Sequence, residues 1–187
     1  VFGVVIREDD LFRAAAEQLA THPAVSEMVI PTLPSLKARL EREVANWSVP
    51  VRVVADRAAR SALYDRAVLA LAVSGTVTLE LALARLPSVV SYVLDTPQAR
   101  IYERIGRPMV SLPNIILGRT AVPELVQASP DAPALVAAVL GLLDNKKARQ
   151  DQIASFGELS DLMEGGTLDF PRQDPADRVL AHWVSGR

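Results

Sequence analysis

The sequence predicts an α/β domain built on a doubly wound parallel sheet, and three observations carry that prediction. Apolar runs alternate with amphipathic stretches in the order helix, strand, helix, strand through residues 1–92. The strand-like runs are continuously apolar rather than alternating, as in strands covered by helices on both faces. The composition, 50% hydrophobic and 22% charged over 187 residues, suits one globular domain with a substantial core.

Over residues 1–21 the apolar positions Val4, Val5, Leu11, Phe12, Ala15 and Leu19 recur at helical spacing, with a break expected near Asp9-Asp10 and an end at His22-Pro23. Residues 28–30 form a short buried strand closed by Pro31. Residues 36–44 read as a helix whose outer face carries Lys37, Arg39, Glu41, Arg42 and Glu43. A strand at 51–54, a helix at 57–64 and a strand at 68–73 follow, then a helix at 76–85 and a strand at 88–92. The alternation is Rossmann-like. Beyond it, a helix is expected at 96–105, a short strand at Val110-Ser111-Leu112, a loop at 113–119, and helices at 132–143, 146–156 and 175–183. Residues 1–163 are read as one unit. Residues 164–187, which open on Glu164-Gly165-Gly166, are read as a hinge-like loop with a terminal helix.

Several function classes are excluded or disfavoured at once. A formal charge of -2 gives no basic field for nucleic acid. Without cysteine there is no disulfide framework, thiolate metal site or thiol nucleophile. His22 and His182 lie far apart and read as solvated residues at helix ends, not as metal ligands. Trp47 and Trp183 read as partly buried anchors beside helices. Arg85 and Glu80 interrupt the longest apolar stretch before it reaches the roughly 20 residues of a bilayer span. The chain opens without methionine, basic leader or cleavage pattern, inside what reads as a helix; a beginning within a longer protein is the expectation.

Two constellations could carry chemistry. Ser74-Gly75-Thr76 follows a strand and opens a helix, the place where parallel sheets bind ligands. Gly75 permits close backbone approach, Ser74 or Thr76 can cap the helix, and the free N–H groups of its first turn suit a phosphate. Glu80 lies one turn on, displaced by roughly 6 Å, where it can accept from a pair of sugar hydroxyls. A plain helix cap with an acid in the early turns explains the same residues, and pattern alone leaves both readings open. In the second constellation Asn114 follows a strand and a proline at the sheet edge, while Glu124 and Gln127, three apart, share a helix face. An asparagine turn and a capping segment after Pro123 is the alternative there.

The runs AVSGTVTLELALARLPSVVSY and VSLPNIILGRTAVPELVQ, in that order, resemble the carboxyl-terminal half of the lipid-A-disaccharide synthase family, glycosyltransferases of the GT-B type; IPTLPSLKARLE at 30–41 is similar to the family as well. The resemblance covers nearly the whole chain and is weakest beyond about Ser129. It implies transfer of 2,3-diacylglucosamine from UDP-2,3-diacylglucosamine to 2,3-diacylglucosamine 1-phosphate, without cofactor or metal, at the cytoplasmic face of the inner membrane of Gram-negative bacteria by a peripheral protein. It also implies that Ser74, Gly75 and Thr76 hold the diphosphate, that Glu80 holds the ribose, and that Asn114, Glu124 and Gln127 line the donor side.

The family's amino-terminal domain, which recognises acceptor and acyl chains and supplies the base, has no counterpart here. The first strand of the donor domain and its Pro-Gly-Ser-Arg loop belong just before Val1. This is therefore one truncated half of a GT-B enzyme, expected to bind UDP weakly and to transfer nothing unaided. Two alternatives stand beside it. One is another UDP-sugar enzyme, such as a cell-wall glycosyltransferase or an epimerase. The other is a non-catalytic oligomerisation module, with a homodimer paired through the sheet edge that the first strand leaves open.

Overall fold

The computed structural model describes residues 9–165, with eight helices and five strands among them. Helix α1 (Asp9–Leu19) buries Leu11, Phe12, Ala15, Ala16 and Leu19, a stripe at helical period that faces the core. Strand β1 (Met28–Pro31) leads into α2 (Pro34–Val44), which starts on a proline that has no N–H to leave unpaired. Strand β2 (Val51–Val54) is followed by α3 (Arg57–Arg66), capped by Asp56 accepting from the Ala59 amide. Strand β3 (Ala70–Val73), buried throughout, enters α4 (Thr76–Leu83).

Strand β4 (Ser88–Val93) precedes α5 (Thr96–Arg104), whose Asp95 and Gln98 form a reciprocal capping box. Helix α6 (Leu112–Leu117), strand β5 (Glu124–Gln127) and helices α7 (Ala132–Leu143) and α8 (Lys146–Gly165) complete the order.

Every ladder is parallel. β1 pairs with β2 from Met28 opposite Val51 to Pro31 opposite Val54. β4 lies between β3 and β5, with Ala70 opposite Ser88 and Val90 opposite Glu124. Helices α1 and α7 pack together and share one core with β1 and β3 through Phe12, Ile30, Leu71, Leu135 and Val139. Helices α4, α6 and α8 pack on one another over Ala82, Val90, Val122, Phe156 and Leu159. Helices thus cover β4 on both sides, the doubly wound α/β arrangement expected of a Rossmann-like half. Among the described residues no ladder joins β1 to β3, and a cavity between their first residues is lined by Met28, Leu63, Leu71 and Val139 together with the charged Glu27 and Arg52.

Several expectations are corrected. The strand at 110–112 and the loop at 113–119 are in fact Ser111 as an N-cap and α6; Pro113 in the first turn lacks only an N–H that a helix start leaves unpaired. Glu124 and Gln127 do not share a helix face: they end a four-residue strand, where residues three apart point to opposite sides. Trp47 is a core residue, 8% exposed. His22 is mostly buried and its Nε2 lies 3.0 Å from Asp144 Oδ1, so it ties the end of α1 to the end of α7. α8 runs on past Phe156 to Gly165, which places Glu164 and Gly165 of the expected hinge in a helix. The rest of the hinge, the terminal helix with His182 and Trp183, and residues 1–8 of the first helix lie outside the described residues.

Candidate functional site

Buried β3 delivers the chain at its carboxyl end to Ser74, and α4 begins two residues later. Between them Gly75 has φ 155° and ψ -170°, a conformation open to glycine almost alone. A Cβ at Gly75 would meet nothing within 4 Å, so the backbone angle, not crowding, requires glycine, and the space in front of it is open. Neither Ser74 nor Thr76 caps the helix, contrary to expectation: the N-cap is Gly75 and no side chain accepts from the first turn. The hydroxyl of Thr78 and its N–H both donate to the Gly75 carbonyl, at 2.7 and 3.1 Å. The positive end of the α4 dipole therefore opens at the carboxyl edge of the sheet with no acidic side chain in its first turn.

Ser74 Oγ donates instead to the carbonyl of Val110, 2.7 Å away and thirty-six positions later. This bond draws the second motif block to the first. Glu80 stands exposed on the next turn of α4. Burial is the main cause that pushes the phenol of Tyr64 on α3 above its usual range; the charge of Glu80 adds to it and Arg60 opposes it.

Asn114 is completely buried and its amide is saturated. Its Nδ2 donates to the Val122 carbonyl at 2.8 Å and to Glu124 Oε1 at 2.7 Å, while its Oδ1 accepts from the Ala121 and Val122 amides, each at 2.8 Å. It is the strut between α6 and β5. The Glu124 carboxylate accepts from the Val110 amide at 3.0 Å, the Ser111 amide at 2.8 Å and Ser111 Oγ at 2.6 Å. It supplies from β5 the anchor that fixes the start of α6. Tyr102 on α5 sits near enough that the Glu124 charge, after burial, raises its phenol pKa, with Arg107 opposing.

Gln127 ends β5, and its side chain exchanges long hydrogen bonds of 3.4 and 3.3 Å with the Asp131 backbone in the turn before α7. Ser74 and Gln127 thus both stand at carboxyl ends of strands in one parallel sheet, separated by β4. What the sequence did not show is the peptide group between Val110 and Ser111. Neither residue carries a chemical signature, and only the fold reveals that this peptide joins the two blocks.

The family model described as lipid-A-disaccharide synthetase matches residues 4–166. A lipid-A-disaccharide synthase from Rhodopseudomonas palustris is 39% identical over 155 residues, covering 82% of this chain and 39% of the relative. One from Bradyrhizobium diazoefficiens is 34% identical over 179 residues, covering 95% and 45%. A second Rhodopseudomonas palustris strain provides another, 36% identical over 171 residues, covering 91% and 43%. The chain spans less than half the length of these relatives. With a family model spanning most of its residues and relatives above 30% identity, the chain belongs to the lipid-A-disaccharide synthase family, the glycosyltransferases of lipid A biosynthesis.

Proposed function

We propose that this chain forms the donor-binding part of an enzyme that transfers 2,3-diacylglucosamine from UDP-2,3-diacylglucosamine to 2,3-diacylglucosamine 1-phosphate. The observation that carries the reading is the mouth of α4: a parallel-sheet carboxyl edge, a glycine in a glycine-only conformation, open space before it, and a first helical turn that no side chain caps. The diphosphate of UDP sits against the amides of that turn with the Thr76 hydroxyl beside them. Glu80 accepts from the ribose hydroxyls one turn on. Gln127 lines the donor wall, which Asn114 and Glu124 hold in shape.

The chemistry is direct displacement at the anomeric carbon, with inversion. The acceptor hydroxyl attacks as a base from the other domain removes its proton, and the helix mouth stabilises the charge that develops on departing UDP. With one wall of the cleft, the isolated chain binds UDP weakly and turns over nothing. In the whole protein the reaction takes place at the cytoplasmic face of the inner membrane on lipid substrates; among the described residues no helix is long and apolar enough to cross a bilayer.

The test is the donor KM of Glu80→Ala in the full-length protein. A raised KM is expected; an unchanged one detaches Glu80 from the ribose. Micromolar UDP affinity with turnover of both lipids by the isolated chain would overturn the half-site reading.

A further inference from the structure

The Val110 carbonyl that accepts from Ser74 Oγ at 2.7 Å and the Ser111 N–H that donates to Glu124 Oε1 at 2.8 Å belong to one peptide group. A hydroxyl at the helix mouth and a carboxylate on β5 therefore meet at opposite ends of a single peptide plane. The carboxylate is held in place by three further donors, the Val110 amide, Ser111 Oγ and Asn114 Nδ2. Ser111 and Asn114 are both fully buried. A negative charge at the N–H end of a peptide polarises its carbonyl, so the bond from Ser74 is strengthened by the bond to Glu124. A serine hydroxyl has one proton, and here it is committed to Val110. What its oxygen offers to a molecule at the mouth is lone pairs.

We infer that the 110–111 peptide relays Glu124 to Ser74, and that Ser74, Ser111 and Glu124 are positioning residues for the α4 mouth rather than ligands of the diphosphate. Glu124 and Ser111 fix the peptide, the peptide fixes the Ser74 hydroxyl, and Ser74 fixes the approach to Gly75. An anion at the mouth is then held by backbone amides, while the Ser74 oxygen can only accept a hydrogen bond, from a donor such as a sugar hydroxyl. The word diphosphate rests on the donor-site reading above; the relay itself does not.

The experiment is a double-mutant cycle in the full 187-residue chain with Ser74→Ala, Ser111→Ala and the pair. It has two readouts: amide hydrogen exchange without ligand at Thr78, whose N–H donates to the Gly75 carbonyl, and affinity for inorganic pyrophosphate. Each single variant is expected to speed exchange at the Thr78 amide by at least about threefold, and the double variant to go no further than either single one. Ser111→Thr, which keeps the hydroxyl, restores the wild-type rates. Pyrophosphate affinity falls equally in both single variants and no further in the pair.

Additive changes, or a Ser111→Ala chain with wild-type exchange at the mouth, would overturn the relay. So would an affinity loss of tenfold or more confined to Ser74→Ala, the size expected when a hydrogen bond to a charged group is removed. If the wild-type chain binds no pyrophosphate, the donor-site reading fails, and the exchange cycle still decides the relay.

Discussion

The Ser74 hydroxyl and the Val110 carbonyl, 2.7 Å apart, join two loops that the chain separates by thirty-six residues. Through that bond the turn after β3 and the start of α6 behave as one wall at the carboxyl edge of the sheet. The consequences can be measured at residues on either side of it.

Asn114→Ala removes four hydrogen bonds inside a fully buried site and leaves the Ala121 and Val122 amides without their acceptor. Denaturant melts should show a loss of about 2–4 kcal/mol, far above the effect of an exposed asparagine. A loss below about 0.5 kcal/mol, the range of ordinary surface substitutions, would contradict the strut role.

At Gly75 an alanine side chain finds room but the backbone angle opposes it. Gly75→Ala should cost about 1–3 kcal/mol or turn the Gly75 peptide, and in either case weaken binding at the mouth. Wild-type stability together with wild-type UDP binding would show that the conformation is not required.

Tyr64 reports on Glu80. Burial is the larger cause of its raised phenol pKa and Glu80 the second, so Glu80→Gln should lower that pKa part of the way and leave it above the ordinary tyrosine range. The part of stability linked to this phenol is fully present below the unfolded pKa and is lost as the pH rises through the folded one. Spectrophotometric titration of the tyrosines checks it, with Tyr64→Phe identifying the signal; no change in Glu80→Gln would place the carboxylate elsewhere.

Glu27 and Arg52, 2.6 Å apart, tie the approach to β1 to β2. The hydrogen bond from Arg52 is the main cause that holds the Glu27 carboxyl below its ordinary value of 4.5. Because the folded value is the lower one, the contribution is present above about pH 4.5 and lost as pH falls through the folded value. Both side chains are about half exposed, so the contribution is at most about 1 kcal/mol. The stability gap between wild type and Glu27→Gln should close on acidification; a gap that widens would reverse the sign.

The parts of this fold legible in the sequence are those with local causes. Residues 70–73 are a continuous apolar run and could be little else than a covered strand, Val89-Val90 mark the centre of another, and Asp56, Asp95 and Asp131 mark helix starts through their own side chains. Residues 113–119 read as a loop from sequence, after a strand at 110–112, because Pro113 and Asn114 disfavour helix. Tertiary bonds override that preference, since Asn114 is engaged by Val122 and Glu124. Strand β5 was missed because its four residues are only half-buried and their pattern, ELVQ, has polar ends. The Gly75 turn was legible as a candidate mouth from its place after a strand. The partner of Ser74 was not, because a carbonyl thirty-six residues away leaves no trace in local spacing.

The most direct measurement on the helix mouth is a titration of UDP into the isotopically labelled chain, followed amide by amide. The expected result is weak binding in fast exchange that shifts the amides of Gly75, Thr76 and Val77 first and those near Glu80 next, with the interior of α7 unmoved. Shifts that gather away from the start of α4, or none as UDP is raised into the millimolar range, would contradict the assignment of the diphosphate to this mouth.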